Sequence, residues 1–357
     1  MNIRHFGIAL LAAAALLPLA GSCTKVETVQ VESRIGLDYN VALEQPRTKA
    51  ATAYSTDDTF KSYAWYLPAG QAWAADKADA VAYFSEVTVE YQTDKWRGAD
   101  QSYYWPKLGS LSFWSYSPAS LATKGNISVT KDGVTLTGWT VDASTNQDID
   151  FMVADFVSDR TTNVKTYGYA GVPTLFRHKL AKVTVNVSTA SARSTTNDIK
   201  LYKVSFRNVY TTGSYSLTQT TQTAKADESW SDRSNLQEIV IYENANGLEL
   251  NLTAQNVTII GTDGLAKDLL AIPQVLNADS ARGTGNPVTL CLEYSMNSTT
   301  HATAEKSLPD IKSQLWGIGQ HITYNVVFGE ENEPIEFSGS VGDWGEGSSS
   351  DIHIGTE

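Results

Sequence analysis

Arg34-Ile35-Gly36-Leu37-Asp38-Tyr39-Asn40-Val41-Ala42-Leu43-Glu44-Gln45-Pro46-Arg47 alternates side chains along its length and then stops at a proline. Ile35, Leu37, Tyr39, Val41 and Leu43 share one face, and Arg34, Asp38, Asn40 and Glu44 share the other. That is the period of a half-buried β-strand, because successive side chains of a pleated chain point to opposite faces. Over residues 35–43 such a strand spans about 30 Å at about 3.3 Å per residue, enough to cross a whole sandwich. Pro46 cannot donate to a ladder and ends the pairing. Arg47-Thr48-Lys49-Ala50-Ala51-Thr52 follows, small, polar and without pattern, the composition of an exposed, protease-sensitive linker.

The rest of the chain repeats this style. With 357 residues it is long enough for two domains, each with its own core. Charged residues make up only 18% and aromatics 10%, and Ser and Thr are abundant, which is the composition of an all-β extracellular protein. A net charge of −12 argues against nucleic acid as a partner. Candidate strands recur at 62–67, 80–91 and 111–116, then at 176–187, 199–209, 237–242, 288–294, 319–328 and 334–341. Residues 127–141 read as a hairpin around Lys131-Asp132-Gly133, since Asp-Gly between alternating apolar residues is a strong hairpin signal. Residues 73–81 predict a short helix. Short strands separated by turn signals spell out β-sandwiches, and a domain boundary is expected just before residue 172, giving units of 48–171 and 172–357.

The two cysteines differ in setting. Residues 1–22 hold a short basic start at Arg4 and His5 and an apolar stretch over 8–19, too short to span a membrane comfortably and fitting a secretion signal. Ala20-Gly21-Ser22 before Cys23 looks like a bacterial lipobox, whose Cys becomes the lipidated first residue of the mature chain; the alternative is a plain signal peptide with a chance Cys. In the lipoprotein reading Cys291 has no disulfide partner and is a small core residue.

Catalytic chemistry has little to stand on. The five histidines, His5, His178, His301, His321 and His353, fall in no metal or catalytic spacing, and no G-x-S-x-G, H-E-x-x-H, P-loop or C-x-x-C pattern occurs. Asp148, Asp150 and Asp155 lack the glycine-turned loop of a Ca²⁺ site. No cofactor, no metal and no enzymatic activity are expected. Trp65, Trp73, Trp96, Trp105, Trp114 and Trp139 could stack on glycans, but their places in or beside strands favour core packing.

Several stretches, taken in order, carry a resemblance. They are Tyr103-Tyr104-Trp105-Pro106 with Leu111-Ser112-Phe113-Trp114-Ser115-Tyr116-Ser117-Pro118, then Asp150-Phe151-Met152-Val153-Ala154, then Phe176-Arg177-His178-Lys179-Leu180-Ala181-Lys182-Val183. Ala271-Ile272-Pro273-Gln274, Gly319-Gln320-His321-Ile322-Thr323-Tyr324-Asn325-Val326 and Val341-Gly342-Asp343-Trp344 follow. With the lipobox Cys, this series resembles the fimbrillin family of Bacteroidales, the lipoprotein subunits of type V pili, in its Mfa-like or FimA-like branch. The resemblance implies an all-β chain of two tandem transthyretin-like β-sandwich domains. It also implies a subunit anchored by its lipid in the outer membrane, cut by a trypsin-like, Arg-specific protease, and joined to other pilus subunits in a fimbrium at the cell surface. Carried over, Cys23 is the lipidation site and Arg47 the cleavage site, and the strand with Ile35, Leu37, Tyr39, Val41 and Leu43 is released. Cutting at Arg34 instead would spare that strand.

Releasing five inward apolar residues would cost about 7 to 15 kcal/mol in lost burial, at about 1.5 to 3 per side chain. The bare edges left behind would recruit another strand. Donor candidates are Ile335, Phe337 and Val341, which alternate on one face, and the shorter pair Ile352 and Ile354. Residues 335–341 also read as the last strand of their own domain. The competing function is a monomeric surface lipoprotein that binds glycan or a host ligand through a β-sandwich, its first strand staying in place.

Overall fold

A computed structural model of the chain describes residues 35–44, 52–141, 149–161, 171–190, 199–250, 257–258, 268–281, 283, 285–297, 300–311, 314–329, 334–344 and 353–354. Cys23, Arg34, Arg47 and Ile352 lie outside the described residues, and of Ile354 only the backbone is described.

The chain is all-β. β1 (Tyr39–Leu43) and β2 (Thr52–Ala53) are followed by β3 (Phe60–Leu67), β4 (Val81–Gln92), β5 (Lys95–Gly98) and β6 (Ser110–Ser117). The hairpin β7 (Asn126–Thr130) and β8 (Gly133–Thr140) precedes β9 (Met152–Ala154), β10 (Val157–Arg160) and β11 (Val172–His178). Next come β12 (Ala181–Thr189) and two long strands, β13 (Ile199–Thr218) and β14 (Asp227–Glu249). Short elements β15 (Val257–Thr258), β16 (Leu269–Ala271) and β17 (Gln274–Val275) lead to β18 (Thr289–Met296) and β19 (Ala302–Ser307). β20 (Leu315–Trp316), β21 (Gln320–Phe328), β22 (Glu336–Asp343) and β23 (His353–Ile354) complete the order. Among the described residues helix is confined to single turns such as α1 (Trp73–Asp76), inside the stretch where the sequence predicts one.

The first sheet closes on itself. Pairing runs β6–β3–β4–β5–β1–β11–β9, and β9 returns to β6 through Tyr116↔Val153 and Ser117↔Met152. Inside the ring sits an aromatic core of Tyr39, Tyr54, Phe60, Phe84, Trp96, Phe113 and Phe176. Period-two alternation sorts β6 between two cores: Leu111 and Phe113 point into the ring, Trp114 and Tyr116 point out of it. Every residue of β6 is buried, so it reads as an unbroken apolar and small-residue run, Ser-Leu-Ser-Phe-Trp-Ser-Tyr-Ser, with no polar face. Two of its serines are paired: Ser115 Oγ donates to Ser62 Oγ at 3.0 Å, and Ser117 Oγ lies 2.6 Å from the Tyr54 hydroxyl.

Trp65, Leu67, Trp114 and Tyr116 on the outward face of the ring join a larger core between two further sheets. One sheet has the order β15–β12–β21–β22–β23, the other β19–β18–β13–β8–β7 with β14 along β13. β12 lies parallel to β21 from Lys182↔His321 to Thr189↔Phe328. Val183, Val185, Ile322 and Tyr324 of the first sheet share this core with Val204, Phe206, Leu290 and Leu292 of the second, which makes a sandwich. The sheets exchange strands across residue 172, where the sequence suggests a boundary. β11 begins there and belongs to the ring, while the hairpin β7–β8 comes from earlier in the chain and pairs with β13. Val134, Leu136 and Trp139 explain the crossing, because β8 buries them in the sandwich core.

Candidate functional site

β1 is a strand of the closed ring, and its longest ladder is with β11. It runs parallel to β11 from Tyr39↔Val172 to Leu43↔Phe176. Its other edge meets β5 at the single pair Tyr39↔Trp96, with β2 taking Ala42 and Leu43. Upstream, Leu37 N–H donates to Tyr103 O at 2.8 Å, and Trp105 N–H donates to Ile35 O at 3.0 Å.

The expected face is present but shorter than the sequence suggests. Leu37 and Tyr39 are 4% and 5% exposed, and Val41 and Leu43 are half-buried against the same core. Ile35 is 57% exposed. The expectation of five inward residues is corrected to four. Residues 35–37 pair with the 103–105 stretch and not with a strand of the ring, and Ile35 is left outside the core that takes Leu37.

Tyr39 is the deepest contact. Its ring meets Phe60 edge-on at 5.5 Å and Phe113 at 6.3 Å, and burial pushes its phenol well above the usual range. Around it Tyr54, Trp96 and Phe176 pack on one another and on Phe60 at 5.1 to 6.1 Å. The polar face is clamped by charge at both ends. Asp38 accepts from Lys95 Nζ at 3.1 Å and Arg97 Nε at 2.9 Å, and Glu44 pairs with Arg177. Arg177 also donates to Asp155 Oδ2 through Nη2 at 2.9 Å. The backbone seals the entry: Val172 N–H donates to Asp38 O at 2.8 Å, and Gly171, at φ +99°, passes so close that a Cβ there would lie 2.4 Å from that oxygen.

The C-terminal candidates occupy their own sheet. Phe337 is buried, Ile335 and Val341 are half-buried, and all three pack with the sandwich core. β22 is hydrogen-bonded to β21 from Gln320↔Asp343 to Val327↔Glu336, and its other edge carries β23 through Phe337↔Ile354 and Ser338↔His353.

Elsewhere, Trp65, Trp73, Trp96, Trp114 and Trp139 are all buried, which leaves these rings to the cores and not to a stacking surface. His178 Nδ1 lies 2.7 Å from Asp150 Oδ2 while its ring stacks on Trp344 at 4.2 Å, and His321 Nε2 lies 2.8 Å from Thr184 Oγ1. Cys291 is buried, and that burial pushes its thiol up to about 11. Among the described residues no three His, Cys, Asp or Glu side chains gather as metal ligands do. The sequence reading missed one buried ion pair, Lys179 Nζ to Glu228 Oε2 at 2.7 Å, reinforced by the Tyr215 hydroxyl at 2.8 Å. Its only sequence signal was a lysine inside the strongly patterned segment 176–187.

A family model described as fimbrillin-like matches residues 48–344. Among solved structures, a fimbrial protein from Bacteroides vulgatus superposes with a TM-score of 0.55 at 16% identity, covering 87% of this chain and 100% of that one. A candidate cell adhesion protein from Bacteroides uniformis gives 0.52 at 17% identity, over 87% and 99%. At such identities these two show a shared fold. No curated protein matches.

Proposed function

The chain belongs to the fimbrillin-like family, and from that premise we propose that it is a pilus subunit exported as a lipoprotein precursor and assembled by protease-triggered strand exchange, in support of adhesion. Membership of a family of fimbrial subunits gives other pilus subunits as its partners and the cell-surface fimbrium as its place. In the finer reading, Cys23 takes the lipid that holds the precursor on the outer membrane, and a trypsin-like, Arg-specific protease cuts after Arg47. The released piece carries β1 away, and a strand from another subunit closes the ring. Ile335, Phe337 and Val341 stay in their own sheet, and the segment holding Ile352 and Ile354 is the donor.

The place of β1 carries this reading. It closes the ring, its longest ladder is with β11, and it lies upstream of residue 48, where the family match begins, one residue past Arg47. Two buried and two half-buried apolar side chains make its departure cost about 5 to 9 kcal/mol in burial. That cost is what an incoming strand recovers, along with the bared edge of β11. The test is Arg47→Ala. The variant is expected to be secreted and folded but to form no multimers with an Arg-specific protease; multimers of unchanged extent would refute cleavage at Arg47.

A further inference from the structure

At one end of the ring three neighbouring strands leave an open cleft of about 430 Å³. β3 ends there at Leu67, β6 begins beside it at Ser110, the ladder partner of Leu67, and β10 ends at Arg160, opposite Leu111. The turn after β3, the start of β6 and the end of β10 line the cleft, and no residue of β1 does. Gly109 permits the close approach: its φ is +84°, and a Cβ there would lie 2.2 Å from Leu67 O and 2.7 Å from the ring of Tyr66.

Three oxygens in the lining are uncommitted. A register shift between Val157 and Arg160 breaks the β10 ladder, and Asp159 stands in it at φ +54°, a conformation that Asp accepts more readily than most residues. Its N–H donates to Ser112 Oγ at 3.2 Å and its Oδ1 accepts from Trp73 N–H at 2.8 Å, while Oδ2 has no hydrogen-bond partner among the described residues. Ser110 is 7% exposed, and its Oγ has no such partner either. Gln71 gives its Nε2 to Asp79 Oδ2 at 3.2 Å, and its buried Oε1 is left over. Buried oxygens without partners are rare and costly in folded proteins, and ligand hydroxyls are groups that would satisfy them.

We propose that this cleft is a carbohydrate site for one neutral sugar ring, with Asp159 Oδ2 and Gln71 Oε1 accepting from its hydroxyls and Ser110 Oγ hydrogen-bonded to a third. The lining selects that class. It holds one carboxylate, one amide and the hydroxyls of Ser110 and Thr161 but no cationic side chain, so an anionic ligand meets Asp159 with nothing to offset it. A single carboxylate with Oδ1 already engaged is poor provision for Ca²⁺, which gathers about six to eight oxygens. No aromatic or large aliphatic side chain is in the lining to hold an apolar molecule. A polyol, whose hydroxyls donate and accept alike, fits what is left. The proposal goes beyond pilus assembly by giving adhesion a ligand class. Because β1 takes no part in the lining, the uncut chain tests it, and its failure leaves strand exchange untouched.

The experiment is calorimetric titration of the full-length purified chain with the methyl glycosides of glucose, galactose, mannose and N-acetylglucosamine, at up to about 10 mM, enough to register a Kd of about 1 mM. At least one is expected to bind. Asp159→Asn keeps an oxygen for Trp73 N–H but puts an amide in place of the free one, and is expected to weaken binding about tenfold; Ser110→Ala, which forfeits no hydrogen bond within the protein, weakens it about threefold. Both variants should unfold with the unaltered chain in thermal scans, and if Asp159→Asn does not fold, Ser110→Ala decides. The proposal is overturned if none of the four glycosides binds, if both variants bind as the unaltered chain does, or if N-acetylneuraminic acid or Ca²⁺ binds in their place.

Discussion

Tyr39→Ala separates a strand that is part of a permanent core from one that is part of a removable plug. Tyr39 is 5% exposed and touches Phe60 and Phe113 edge-on. Truncating a buried aromatic costs about 3 to 5 kcal/mol, part from lost transfer and part from the cavity left behind. That is about half of what β1 contributes altogether through Leu37, Tyr39, Val41 and Leu43, about 5 to 9 kcal/mol. Urea unfolding followed by tryptophan emission measures it, with Trp96 directly across the ladder from Tyr39 as a reporter. The precursor is expected to lose about 3 to 5 kcal/mol, and Ile35→Ala, at an exposed site, less than about 0.5. After cleavage and replacement of β1 in multimers, the Tyr39→Ala and unaltered proteins should unfold alike. A precursor loss below about 1 kcal/mol, or a loss that survives removal of the segment, would refute the reasoning.

Gly171→Ala should destabilise the precursor by more than about 1 kcal/mol in thermal unfolding, since φ is +99° and the new Cβ would strike Asp38 O. Once β1 has left, only the backbone part of that penalty remains. Glu228→Gln should cost about 2 to 3 kcal/mol at pH 7, below the range for a fully buried pair because the Glu228 side chain is 31% exposed, yet substantial because Lys179 is 4% exposed. Burial pushes the Glu228 carboxyl up, but Lys179 and Tyr215 outweigh it and hold the group below its ordinary value. The stabilisation is therefore complete above the unfolded carboxylate value and is lost as pH falls through the folded one, so the gap between variant and parent closes in denaturant titrations carried down through the acid range.

Much of the site could be read directly from period-two alternation. Leu37, Tyr39, Val41 and Leu43 face the core as their spacing requires, and Asp132-Gly133 turns the β7–β8 hairpin. What alternation could not supply was where the core ended, and Ile35, on the same face as Leu37, stays exposed. β14 shows the opposite failure. Its first half, Asp-Glu-Ser-Trp-Ser-Asp-Arg-Ser, has no apolar face, and it is a strand because β13 pairs with it from Thr218↔Asp227 onward. β19, Ala-Thr-Ala-Glu-Lys-Ser, is likewise a polar strand held by β18. Ring closure joins β1 to β11 and β9 to β6, and the Asp38 and Glu44 clamps draw on Lys95, Arg97 and Arg177. Such long-range pairings leave no local mark, which is why β1 was legible and the ion pairs around it were not.

The central claim is tested most directly by treating the purified precursor with an Arg-specific protease and following mass and oligomer size together. The account predicts loss of the segment that ends at Arg47, carrying β1 with it, and the growth of a ladder of multimers. A precursor that keeps that segment and remains monomeric would contradict it.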